Sequence, residues 1–192
     1  MTPTATTEAI LPIHLFNTEA YHRMGEAGLL DGQRVELLEG RIIDMAPVKS
    51  KHASVVKFLN NWLRTALSDQ YTISVQDPIS LSKYSEPEPD LAVLAFREDY
   101  YAKAHPQPED IHLLIEVADT SLEKDQKVKL PLYAAASIPE VWIVNLPEQQ
   151  LEQYTEPAAE GYRSIRIYRA GDTLEQDWIE GRLEMGRLFG AS

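Results

Sequence analysis

Residues 88–129 constrain the chain more than any other stretch. They hold two apolar runs, 91–96 and 111–117, and each carries a carboxylate where a core strand should carry none. Asp90 opens the first run and Glu116 sits inside the second. An ionised carboxylate buried in a strand is costly unless it is paired or bound to a metal. The near-continuous apolar character of 111–117 predicts a central strand in a sheet covered on both faces. If that strand is regular, His112, Leu114, Glu116 and Ala118 share one face, and Ile111, Leu113, Ile115 and Val117 share the other. Adjacent strands lie about 4.8 Å apart, so Asp90 and Glu116 on neighbouring strands can share one cation. Mg²⁺ suits such a pair, because it takes a few carboxylates plus waters and substrate phosphates.

A helix is predicted after this strand, to about residue 136, capped by Asp119, Thr120 or Ser121. Leu122, Lys129, Leu132, Tyr133 and Ala136 fall near one of its faces. The Lys129 stem can then lie along the core while its ammonium reaches the carboxylates. There it can stabilise charge on a phosphate, or orient and deprotonate water. The same residue also fits an i,i+4 surface pair with Asp125, and Lys124 and Lys127 are expected to be solvated. Pro131 should kink the helix by removing the bond to the Lys127 carbonyl, which would move the Lys129 ammonium. Three further polar residues leave alternatives open. Glu36 is either an additional metal or water ligand or an exposed hairpin acid. Gln76 either hydrogen-bonds the metal site or a phosphate or is an ordinary polar residue at a strand end. His52 either contacts substrate or braces a site carboxylate, or is a satisfied histidine at the edge of the core.

Elsewhere the pattern predicts a helix from about 18 to 25, capped by Asn17 or Thr18, and strands at 34–38 and 41–45 joined at Glu39-Gly40. A helix over 51–67, capped by Ser50, presents Val55, Val56, Leu59, Trp62, Leu63 and Ala66 as one stripe. Strands follow at 71–76, weakly at 79–81, and at 90–95. Residues 97–110 form a surface loop with one helical turn. Strands return at 141–145, 151–155 and 162–169, while 173–189 has no clear period. The order gives a mixed α/β sandwich.

At 192 residues the chain fits one domain, placed here at 13–192 behind a loose tail at 1–12. Without cysteine it has neither a disulfide framework nor thiolate-held zinc. The start lacks a basic leader pattern, and no apolar run approaches the ~18 residues of a membrane span, so a soluble cytoplasmic protein is expected. The formal charge is −12, from 18 basic and 30 acidic residues. That balance weighs against tight, sequence-independent binding to nucleic acid, though a locally basic groove remains compatible with it.

The chain resembles the Uma2 family, a group of restriction-endonuclease-like proteins, over nearly its whole length from residue 18 to about 189. The matching pieces are Val-Glu-Leu-Leu-Glu-Gly at 35–40, His52, Gln76 followed by Pro78, Pro89-Asp90, Ile-Glu-Val at 115–117, the spacing Asp125, Lys129, Tyr133, and Ile-Pro-Glu-Val-Trp-Ile-Val at 138–144. The resemblance implies the PD-(D/E)XK nuclease superfamily and its restriction-endonuclease-like α/β core: a mixed central sheet flanked by helices, with additional antiparallel strands. Pro89-Asp90 resembles the first half-motif and Glu116 the acid of the second. The usual lysine would stand two residues after that acid, where this chain has Ala118. Lys129, on the next helix, matches the place to which the family moves it. Glu36 resembles the acid supplied from before the core sheet, and Gln76 and His52 resemble recurring polar positions near the pocket.

The leading expectation is therefore Mg²⁺-dependent phosphodiester hydrolysis of nucleic acid, DNA first with RNA left open, and with Mn²⁺ as a substitute. Asp90 and Glu116 would hold the metal, with Glu36 as a further ligand. Lys129 and Gln76 would act beside it, and His52, Lys51 and Lys57 would contact substrate. Two alternatives stand. One is an inactive nucleic-acid-binding or regulatory module using Lys49, Lys51, Lys57 and Arg64. The other is an oligomeric structural protein. A twofold homodimer is the default assembly for all three.

Overall fold

The computed structural model describes residues 12–190, so the expected N-terminal tail falls almost wholly outside the described residues. Helix α1 (Thr18–Glu26) opens on Asn17, whose side chain accepts the Ala20 N–H at 2.8 Å. This is one of the two predicted caps. Strands β1 (Val35–Leu38) and β2 (Arg41–Asp44) pair antiparallel through Glu39 and Gly40, both at positive φ. A Cβ on Gly40 would lie 2.7 Å from the Leu15 Cβ, so conformation and space both require glycine there.

Helix α2 (Ser50–Ala66) buries Val55, Val56, Leu59, Leu63 and Ala66, with Trp62 half-buried beside them. Its N-cap is Lys49, not Ser50, and no side chain caps it. Strand β3 (Tyr71–Val75) ends at Gln76, which takes positive φ. No strand forms at 79–81. Ile79 is fully buried there, and the loop closes through its own bonds, Ile79 N–H to Pro87 at 3.0 Å and Leu81 N–H to Ser85 at 3.1 Å. Strand β4 (Leu91–Ala95) leads to the predicted loop, whose one helical turn is 3₁₀ at Pro108–Asp110.

Strand β5 (Ile111–Ala118) is interior to a six-stranded sheet of order β3-β4-β5-β6-β7-β8, where β6 is Glu140–Asn145, β7 Gln150–Ala158 and β8 Gly161–Tyr168. Only β5 and β6 run parallel, so the sheet is mixed. The alternation predicted for β5 breaks at its start. Val93 pairs with Leu113 and Leu94 with Ile111, which leaves His112 as the extra residue of a β-bulge. Ile111 therefore joins Leu114 and Ala118 in one core half, while His112 turns to Tyr71 and Trp178.

The two faces of the sheet carry separate core halves. On one, α2 packs with β9 (Thr173–Gln176), β10 (Ile179–Glu184) and α5 (Met185–Gly190), the elements that had no clear period. On the other, Leu130, Tyr133 and Ile138 pack with Ile79, Ala92 and Leu114. The helix on this second face is not simply kinked. It runs as α3 (Leu122–Lys124), a π-helical turn (Asp125–Lys129) and α4 (Leu130–Ala135). The Leu130 N–H reaches the Asp125 carbonyl, and Pro131, which has no N–H to give, follows it directly at the start of α4. Among the described residues, no helix is long and apolar enough to cross a membrane.

Candidate active site

Asp90 stands one residue before β4, opposite the end of β5. Leu91 pairs with Ile115, and the next step of the register faces Asp90 toward Glu116 and Val117. Asp90 Oδ2 accepts the Val117 N–H at 2.8 Å, so a side chain takes the amide that a longer ladder would use. His52 Nε2 lies 3.0 Å from the same oxygen, and Gln76 Nε2 donates to Oδ1 at 3.1 Å. Gln76 reaches it because of its left-handed backbone, and its own N–H bonds the Asp90 carbonyl at 3.2 Å. Burial pushes the Asp90 carboxyl up, but His52, the Val117 amide and Gln76 together hold it below its ordinary range. His52 Nδ1 is buried with no hydrogen-bond partner among the described residues. A proton on Nε2, directed at Asp90, fits that orphaned lone pair.

Glu116 lies on the face of β5 that carries Leu114 and Ala118, and projects toward the helix that follows. Lys129 Nζ lies 2.6 Å from its Oε1, and Tyr133 donates to the same oxygen at 2.5 Å. Glu36, Glu116, Asp125 and Lys129 are all at most 5% exposed. Asp125 and Lys129 are thus both buried and do not form the surface pair, and Ser121 donates to Asp125 at 2.6 Å. Glu36 is buried rather than an exposed hairpin acid. Its Oε1 meets Lys124 at 2.7 Å, while its Oε2 meets the Glu88 N–H at 3.2 Å and Lys129 at 3.5 Å. Burial pushes Glu116 up to about 8, and Asp125 and Asp90 add to this against the pull of Lys129. Burial works to lower Lys129, but Glu116, Glu36 and Asp125 outweigh it and hold the ammonium charged. Glu36 is drawn below its ordinary range, with Lys129 and Lys124 overcoming its burial.

These residues open into one cleft, lined by His52, Gln76, Asp90, Glu116, Lys124 and Lys129 among others. Lys51 and Lys57 do not line it. The basic rim residues are Arg34, which meets Glu88 at 3.5 Å, and Lys49, which meets Asp119 at 2.9 Å. Lys124, expected to be solvated, belongs to the site. Five residues along an α-helix turn about 500°, which leaves two side chains some 140° apart. The wider π turn instead brings Lys124 and Lys129 to the same Glu36. Tyr133 could have been found from its spacing, one turn beyond Lys129. Nothing in the sequence marks the π turn except Pro131.

Among the described residues, the one group of three histidine or carboxylate side chains with ligand atoms within 4.8 Å of one another is His22, Glu86 and His105. It lies outside this cleft. Asp90, Glu116 and Glu36 do not close into such a group, because Lys129 stands between the two glutamates.

The Uma2 family profile, described as "Putative restriction endonuclease", matches residues 18–185. The chain belongs to the Uma2 family. Among solved structures, its fold matches a "putative nuclease belonging to DUF820" from Anabaena variabilis ATCC 29413 with a TM-score of 0.73 at 14% identity, over 94% of this chain and 99% of that one. At that identity the likeness carries the fold alone, which is the restriction-endonuclease-like core of the Uma2 family. No curated protein matches the chain.

Proposed function

We propose that this Uma2 protein hydrolyses phosphodiester bonds of nucleic acid, DNA first, with Mg²⁺ or Mn²⁺. The observation that carries the reading is the meeting of Asp90 and Glu116, from neighbouring strands, in one cleft with Lys129 at 2.6 Å from Glu116. The donor set fits a hard divalent cation. Asp90 and Glu116 face a cleft whose carboxylates, with Glu88, Asp119 and Asp125, outnumber its lysines, and Asp125 and Asp90 add to burial in pushing Glu116 up. Asp90 and Glu116 would hold the ion. Bound there, it supplies Lewis acidity toward a phosphate oxygen and toward a water.

The chain's own residues supply the rest. His52, Gln76 and the Val117 amide fix the Asp90 carboxylate in one orientation. Tyr133 and Lys129 both hold Glu116 through Oε1, so Oε2 is the oxygen that would be offered to the ion. Lys129 keeps a positive charge beside the point where negative charge grows on the phosphate. Glu36 serves the site by holding Lys124 and Lys129, since both its oxygens are engaged in doing so. Arg34, Lys49 and Lys124 line the rim, each paired with an acid that it would have to share with a phosphate. A homodimer would set two such clefts against the two strands of a duplex.

The test is cleavage of plasmid DNA with and without Mg²⁺, using wild type, Asp90→Asn and Glu116→Gln. We expect metal-dependent cleavage that each variant reduces by at least about 100-fold. Undiminished cleavage by either variant rejects the assignment. DNA retention that both variants keep, with no cleavage by wild type, supports the inactive binding module.

A further inference from the structure

We propose that His22, Glu86 and His105 form a second, separate metal site that takes one divalent transition ion of the zinc class and staples three segments together. His22 lies on α1, Glu86 in the segment leading to Asp90, and His105 in the loop before β5. The His22 Nε2 to Glu86 Oε1 distance is 2.7 Å, and one ring nitrogen of His105 lies within 4.8 Å of both. The two imidazole rings stand edge to face with centroids 6.1 Å apart.

The donor chemistry selects the ion. Two imidazoles and a carboxylate suit Zn²⁺ and its neighbours, whereas Mg²⁺ prefers oxygen ligands throughout. With bonds of about 2.0–2.1 Å, tetrahedral ligands stand about 3.3 Å apart. The His22–Glu86 contact of 2.7 Å is shorter than that and the other separations are under 4.8 Å, so ring rotations and a small shift bring all three ligands onto one ion. Glu86 is the fixed ligand. It is 5% exposed, its N–H bonds the Leu37 carbonyl at 2.8 Å, and among the described residues no lysine or arginine pairs with it. A buried carboxylate without a permanent cation partner is costly, and a bound ion removes that cost. The two histidines are exposed and free to adjust.

The segments already meet through their backbones. The Thr18 N–H bonds the Lys83 carbonyl at 2.9 Å, and the Ser80 N–H bonds the Pro106 carbonyl at 2.9 Å. The cleft that holds the three ligands shares no lining residue with the Asp90 cleft. A fourth position on the ion would fall to water. The role assigned is structural: the ion would tie α1 and the loop before β5 to a glutamate four residues ahead of Asp90.

Calorimetric titration of the full chain with Zn²⁺, in excess Mg²⁺ to occupy the Asp90 cleft, tests this. We expect one Zn²⁺ per chain and a Zn²⁺-dependent rise in Tm. His105→Ala and His22→Ala, both at exposed positions, should each weaken binding by at least about 100-fold, the upper end of what even an indirect partner contributes. Glu86→Gln should do the same, with circular dichroism confirming that the fold is kept. Asp90→Asn should leave Zn²⁺ binding unchanged. No Zn²⁺ binding, binding that His105→Ala leaves intact, or binding that Asp90→Asn abolishes would each overturn the proposal. The nuclease reading fails by a different result, undiminished DNA cleavage in Asp90→Asn.

Discussion

Glu116 keeps its proton to about pH 8 because burial and the neighbouring Asp125 and Asp90 oppose its ionisation more than Lys129 favours it. A carboxyl that binds its proton more tightly folded than unfolded loses stability as pH rises. Its contribution is complete below the ordinary carboxyl range and drains away from there up to about 8. Asp90 and Glu36, both held below their ordinary range, act the other way: their contributions are complete above that range and fall as acid protonates them. Lys129 stays charged throughout. Metal-free protein should therefore be most stable near pH ~5 and lose on the order of a few kcal/mol by pH ~8. Urea melts across that range should show the decline, and Glu116→Gln should flatten it. Mg²⁺ should lessen it, because a bound ion replaces the proton. At this scale the sequence showed Asp90 and Glu116 through one anomaly, a charge at or inside an apolar run, and Lys129 through its place on the apolar face of the next helix. It hid Lys124, Asp125 and the burial of Glu36, because their burial depends on chain segments far away in sequence.

The helical segment from Leu122 to Ala135 shows what an element can conceal. Periodicity predicted a helix and Pro131 predicted a kink, but the break appears as a π turn on the N-terminal side of the proline. A proline ring clashes with the carbonyl four residues back, here that of Lys127. The wider turn avoids the clash and carries both lysines to Glu36. Pro131→Ala restores an N–H that can close an α-type bond on Lys127 and tighten the turn. We expect Mg²⁺ affinity to fall by about tenfold, the scale of lost indirect support, with Tm shifted by only a few degrees. Unchanged affinity would mean that the packing of Lys129 holds the turn open without the proline. The bulge at His112 was hidden for a similar reason: strand alternation read along one chain does not report a partner with one residue fewer.

The whole molecule depends on covering both faces of the sheet. The segment from Thr173 onward shows no period because its strands are short and hairpin-like, with exposed residues between single buried ones. Yet Leu174, Ile179, Leu183, Met185 and Leu188 complete the core over α2. Leu183→Ala should cost about 2–5 kcal/mol by urea unfolding with an unchanged m-value, as for other buried leucines. A smaller cost would mean that this C-terminal hairpin only lies on the core without sealing it. The α/β class, the order of the main strands and the central place of β5 were legible from apolar runs. The core half over α2 needed contacts between residues more than a hundred positions apart. The bond from the Val117 amide to Asp90 also has a consequence for growth of the sheet. The seam between β4 and β5 cannot be stitched one rung further without evicting that carboxylate. Lengthening the sheet at this end and keeping the cleft are thus mutually exclusive, and any slip of β4 against β5 would register first as a lost anchor for the acid and only afterwards as a lost strand pair.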